Sequence, residues 1–129
     1  MDLDQRIGAL MHKMLRKKLY VLLSQPLVAP EKLKPQLPAH LEYMIGLEKR
    51  GVLFASGPLA DSEGTRTGQL TGQGLTVLRV ADAAEARAIA EADPFYVAGL
   101  RTFELKEWTV MEGVLSLRVN LSDQSVEVV

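Results

Sequence analysis

The chain has 129 residues, 47% of them apolar, which suits one domain with a real core and excludes disorder. Fifteen basic residues face sixteen acidic ones, and a net charge of −1 provides no field for nucleic acid; the densest basic cluster is only Arg16 to Lys18. Cysteine is absent, which excludes disulfides, thiolate catalysis and Cys-type zinc sites, and the two histidines, His12 and His40, are too few for a His-rich metal site.

In chain order, Leu3, Ile7, Leu10, Met11 and Met14 form one stripe of an N-terminal helix over residues 3–16. This segment carries Asp2 and Asp4 and does not read as a secretory or transit signal. No run reaches the ~18 apolar residues of a membrane span, so no membrane partner is expected and the expected location is cytoplasmic. Leu19 to Ser24 reads as a first strand, apolar on both faces, so both faces should be covered. Residues 26–36 hold three prolines and read as a loop.

A helix is predicted from Pro38 to Lys49 and Arg50, closed by Gly51 in the left-handed position. Leu37, Leu41, Met44, Ile45 and Leu47 share its apolar arc, with His40 projecting on the same side. Val52 to Gly57 is the second strand, stopped by Pro58. Residues 59–73 form a long polar loop, expected to act as a mobile lid or rim. Gly74 to Val80 is the third strand, and Asp82 to Glu85 looks like a capping box opening an alanine-rich helix that Pro94 stops. Leu100 to Val110 is the fourth strand, and residues 114–129 read as a hairpin turning at Ser122 to Gln124. The order strand, helix, strand, strand, helix, strand is the ferredoxin-like βαββαβ pattern of the α+β class. One sheet face is left bare by the two helices, which points to a homodimer with facing sheets.

His40 falls about one turn into its helix, where the positive end of the dipole favours the neutral imidazole that a general base needs. The alternative is a core histidine bonded to a carbonyl. Asp93 is read as lying in the last turn of the second helix, against the negative end of its dipole and before Pro94; the alternative is an ordinary helix-ending aspartate. The turn Ser56, Gly57, Pro58 shapes a pocket wall, with no nucleophile context around Ser56. Gly72 to Gly74 precedes a strand, which rejects a phosphate-binding reading.

These segments resemble a known family. Leu19 to Leu23, the helix start Pro38 to Leu41, the turn Ala55 to Pro58, the strand Gly74 to Val77, and the runs Ala92 to Phe95 and Ala98 to Leu100 together look like the YCII-related proteins over roughly residues 18–110. The resemblance implies a dimeric ferredoxin-like α+β barrel with a small-molecule pocket, similar in fold to muconolactone isomerase. It implies His40 and Asp93 as the catalytic pair, with Ser56, Gly57, Pro58, Pro94 and Phe95 about the substrate, and neither metal nor cofactor. One branch of the family is similar to a cofactor-free dehydrochlorinase of chlorinated hydroxyhydroquinone. Leu37 stands where many relatives carry arginine, three residues before the histidine.

The reading is therefore a single domain over residues 1–129, with a core of about 18–110 and a C-terminal extension over 111–129. It acts as a proton-transfer enzyme of lyase, dehydrochlorinase or isomerase type on a small cyclic or aromatic compound. Its rivals are a non-catalytic metabolite-binding or sensor module and a purely structural dimer.

Overall fold

In the computed structural model, residues 1–61 and 71–129 are described. The elements are α1 (Leu3–Met11), β1 (Lys17–Pro26), α2 (Leu37–Lys49), β2 (Leu53–Pro58), β3 (Gly74–Leu78), α3 (Ala83–Glu91), α4 (Pro94–Val97), β4 (Arg101–Val110), β5 (Leu117–Val119) and β6 (Val126–Val128). Two 3-10 turns, Pro30–Lys32 and Lys34–Gln36, lead into α2. The proline-rich loop is thus partly helical, with Pro30 and Pro35 in the first-turn positions they favour. Among the described residues no helix is long and apolar enough to cross a membrane.

The chain divides into two compact units. The larger, Lys18–Thr109, holds a four-stranded sheet in the order β2-β3-β1-β4. This is the ferredoxin-like arrangement. β3 pairs antiparallel with both neighbours: Tyr20 lies opposite Leu78 and Leu22 opposite Thr76, while a shift between Leu53 and Ala55 marks a bulge in β2. Alternation sends Tyr20, Leu22 and Leu78 to one face, where they cluster with Met44 and Leu47 of α2 and Ala86, Ile89 and Ala90 of α3. The alanines at i and i+4 let α3 approach the sheet closely. Leu47 and Leu78 are fully buried; each contributes about 1.5–3 kcal/mol relative to an exposed side chain. On the other face Leu19 and Val77 are buried, Val21, Leu23 and Leu75 are half-buried, and Trp108 is exposed.

The buried arc of α2 is narrower than its apolar arc. Met44 and Leu47 are buried, but Leu37, Leu41 and Ile45 are 40–50% exposed. Gly51 takes φ +76° after the helix, as its left-handed position requires. The alanine-rich helix ends earlier than expected, at Glu91, and a separate short helix follows.

The smaller unit joins Met1–Lys17 to Val110–Val129. Asp2 opens α1 with a full capping box: its carboxylate accepts from Gln5 N at 2.8 Å and Gln5 Oε1 accepts from Asp2 N at 2.9 Å. α1 stops at Met11, shorter than the stripe predicts, because Arg16 turns to φ +54° and its guanidinium caps the Met11 carbonyl at 2.8 Å. The Leu15 amide donates to the Met111 carbonyl at 3.1 Å. β5 and β6 form the expected hairpin, with Gln124 at φ +58° in its turn.

Candidate functional site

The site grows from two chain breaks that the sequence enforces. The first is the start of α2, where Pro38 sits in the first turn and places His40 one turn in. The second is the end of α3. Ala92 caps that helix, Asp93 swings to extended backbone (φ −61°, ψ 130°), and Pro94 starts α4 at its first position. Asp93 is therefore the N-cap of α4, not the last turn of α3. Its Oδ1 accepts from Phe95 N at 2.9 Å, and it meets the positive end of a helix, where a carboxylate is favoured. The expected conflict with a helix dipole does not arise.

Tyr43, one turn beyond His40, donates its hydroxyl to the Ile89 carbonyl at 2.8 Å and so ties α2 to the end of α3. That brings the two breaks together. His40 Nδ1 lies 3.0 Å from Asp93 Oδ1 and 2.9 Å from Oδ2. Nδ1 carries the proton in this geometry, since a carboxylate only accepts. The two side chains are 15% and 19% exposed, sheltered yet not sealed. Phe95, fully buried, stacks on the imidazole with centroids 4.4 Å apart and planes 25° off parallel. Carboxylate and ring together fix both the tautomer and the tilt of His40.

A cavity of about 440 Å³ opens beside this pair, within the range that holds one small organic molecule. His40 lines it together with Phe95. Leu33, Leu37, Leu41 and Met44 supply an apolar wall, which explains why the arc of α2 is not fully packed. Ser56, Gly57 and Pro58 line it from β2. Pro94 lies outside the lining and serves as the first residue of α4. His12 is exposed in the smaller unit.

Residues 18–109 match the model of the YCII-related domain. The chain belongs to the YCII-related family. No curated protein matches it. Among solved structures it is similar to the 5-chloro-2-hydroxyhydroquinone dehydrochlorinase of Burkholderia phenoliruptrix, in complex with 2,5-dihydroxybenzoquinone, at 22% identity and a TM-score of 0.59, covering 70% of this chain and 93% of that one. That likeness shows the fold.

This YCII-related chain also carries a site residue that the sequence reading passed over, Arg101. It stands at the start of β4 on the side that Phe103 and Leu105 turn to the core. Its guanidinium carbon is 4.7 Å from the Phe95 centroid, and its Nε and Nη2 donate to the Gly72 carbonyl at 3.2 and 2.9 Å. Burial pulls the Arg101 pKa below the ordinary guanidinium range, and the charge of Asp93 opposes that shift. Gly72 receives Arg101 at φ +82°, with Pro26 Cβ and Cγ 3.0 Å from where a Cβ would stand, so glycine is needed there on both counts. The signal in the sequence is the period-two alternation of β4, which puts the Arg101 charge on the same face as Phe103 and Leu105. The loop of residues 59–73 is anchored where it is described. Leu59 N donates to Gln73 O at 2.9 Å, and Thr71 Oγ1 to Leu59 O at 2.8 Å. Residues 62–70, the body of the expected lid, lie outside the described residues.

Proposed function

We propose that this cavity is an active site in which His40 and Asp93 move a proton on a small cyclic or aromatic compound, without a cofactor. One observation carries the reading. His40 Nδ1 is clamped by a carboxylate at 2.9 Å, which leaves Nε2 as a basic nitrogen on a ring that lines a ligand-sized cavity. Asp93 orients the imidazole and stabilises the imidazolium that forms. The reaction class is elimination or isomerisation. His40 takes a proton from the substrate, and the electron pair left behind forms a new double bond. In an elimination the leaving group departs with its own pair; in an isomerisation the proton returns to a different atom of the ring system. A likeness in fold to a dehydrochlorinase supports the elimination branch.

The test is chloride release from 5-chloro-2-hydroxyhydroquinone, followed with the intact protein and with His40→Gln. Turnover by the intact protein and its fall by about 10²–10⁴-fold in the variant is the expected result. Turnover unchanged in His40→Gln would refute the assignment. Ligand binding without turnover across chlorinated and non-chlorinated ring compounds would favour a sensor or metabolite-binding module.

A homodimer is part of the same proposal. The sheet face away from the helices keeps Trp108 42% exposed beside half-buried Val21, Leu23 and Leu75, an apolar surface of the kind that pairs with a copy of itself. Sedimentation showing only a 14.2 kDa species at micromolar concentration would overturn it.

A further inference from the structure

The charges around the cavity are unevenly placed. Among the described residues that line it, the permanently charged side chains are Lys34 and Arg101, both cations, and no carboxylate joins them. Asp93 stands behind His40, with its oxygens engaged by the imidazole and by the Phe95 amide. Arg101 is half-buried, and a guanidinium brought out of water costs free energy unless an acceptor meets it. Among the described residues its hydrogen-bond acceptor is a neutral one, the Gly72 carbonyl, which takes Nε and Nη2, and the nearby charge of Asp93 offsets only part of the cost of its burial. Nη1 has no hydrogen-bond partner among the described residues. The guanidinium is also held still, by Gly72 and by the Phe95 ring. A cation that is fixed, partly desolvated and free at one nitrogen is pre-organised for an anion.

We propose that Arg101 is a substrate-binding residue, and that the cavity takes a ring compound bearing an ionised oxygen, held on Nη1, with its apolar body against Leu33, Leu41 and Met44. The geometry links this anchor to the proposed proton transfer. The Arg101 guanidinium carbon and the His40 ring lie 4.7 and 4.4 Å from the same Phe95 centroid. A single small ring bound by its oxygen at Arg101 thus falls within reach of the imidazole. The inference names the substrate class for the site proposed above, yet it is read by binding alone, so it stands or falls apart from turnover. It also places the anion-binding charge on β4, on a different element from Leu37.

Calorimetric titration at low ionic strength tests it with two matched pairs, benzoate against benzamide and 4-nitrophenolate against nitrobenzene. The protein is expected to favour at least one anion over its neutral partner by about tenfold or more, the effect of one charge-assisted hydrogen bond. Whichever pair shows the preference tells carboxylate from phenolate. Arg101→Met also removes the bonds to Gly72, so the readout is the anion-to-neutral ratio and not affinity. That ratio should collapse towards one in Arg101→Met, persist in part in Arg101→Lys, and survive in His40→Gln even though turnover is lost. Equal binding within both pairs by the intact protein, or a ratio unchanged in Arg101→Met, would overturn the assignment. The first of these needs no variant, so a misfolded mutant cannot shield the proposal.

Discussion

Asp82 and Asp93 do the same local job in two places, and among the described residues only Asp93 is also bonded to another side chain. Asp82 opens α3 and Asp93 opens α4. Each has extended backbone, and each accepts from an amide of the helix it starts, Glu85 N at 2.8 Å and Phe95 N at 2.9 Å. Asp82 is exposed, and no ion pair of it is found among the described residues. Asp93 is sheltered and presents both oxygens to His40. The difference shows how a structural carboxylate becomes a candidate for chemistry. Capping fixes its position at the cost of one lone pair, and the remaining capacity of the group is then aimed at an imidazole.

The largest effect expected from this contrast is on turnover. Asparagine caps a helix about as well as aspartate but carries no charge. Asp93→Asn should therefore leave the melting temperature nearly unchanged while lowering turnover by about 10²–10⁴-fold, because the tautomer and charge of His40 lose their support. Asp82→Asn should change neither. Steady-state rates beside thermal melts of both variants check this, and equal activity in the two would dissolve the distinction.

A smaller effect is expected on stability alone. Asp82→Ala removes a cap and should cost about 1 kcal/mol, with turnover unaffected. Asp93→Ala should cost more than that, since it also strips the partner from a sheltered imidazole. Denaturant melts of the two alanine variants rank them. A loss at Asp82 as large as that at Asp93 would mean that the His40 contact contributes nothing to folding.

His40 and Asp93 could be picked out from the sequence because each sits beside a proline that pins the chain, Pro38 and Pro94. Their order and spacing match a family pattern as well. Asp93 is ambiguous in sequence because it stands at a boundary between two helices. Helix propensity runs on through Ala92, and only the proline at the first position of α4 shows that a new helix begins. The apolar arc of α2 misled in a different way. Periodicity marks which leucines avoid the polar side, but it does not tell packing from lining, so Leu47 and Leu41 look alike in sequence, while one is buried and the other walls a cavity. Arg101 was hidden for the opposite reason. One basic residue in a strand is usually solvated, and its placement against Phe95 and Gly72 depends on contacts distant in the chain.

The smallest expected effect reads the charge of Asp93 through a third residue. Tyr43 donates to the Ile89 carbonyl, and its pKa is raised above the ordinary 10.0, first by burial and then by the charge of Asp93, with Arg50 opposing. A phenol with a raised folded pKa favours the native state fully below its unfolded value, and that contribution is lost as pH rises through the folded value. Stability attributable to Tyr43 should thus hold up to about pH 10 and decline above it. Tyr43→Phe keeps the ring but removes the titrating group, so its stability curve should be flatter in that window, at the cost of one hydrogen bond of about 1 kcal/mol at neutral pH. Asp93→Asn should bring the Tyr43 titration down towards the ordinary value, while Asp82→Asn leaves it in place. Ultraviolet difference titration of the tyrosinate band in the three variants measures this directly. A Tyr43 titration that ignores Asp93→Asn would show that burial alone sets it and that the charge beside His40 is not felt by its neighbours.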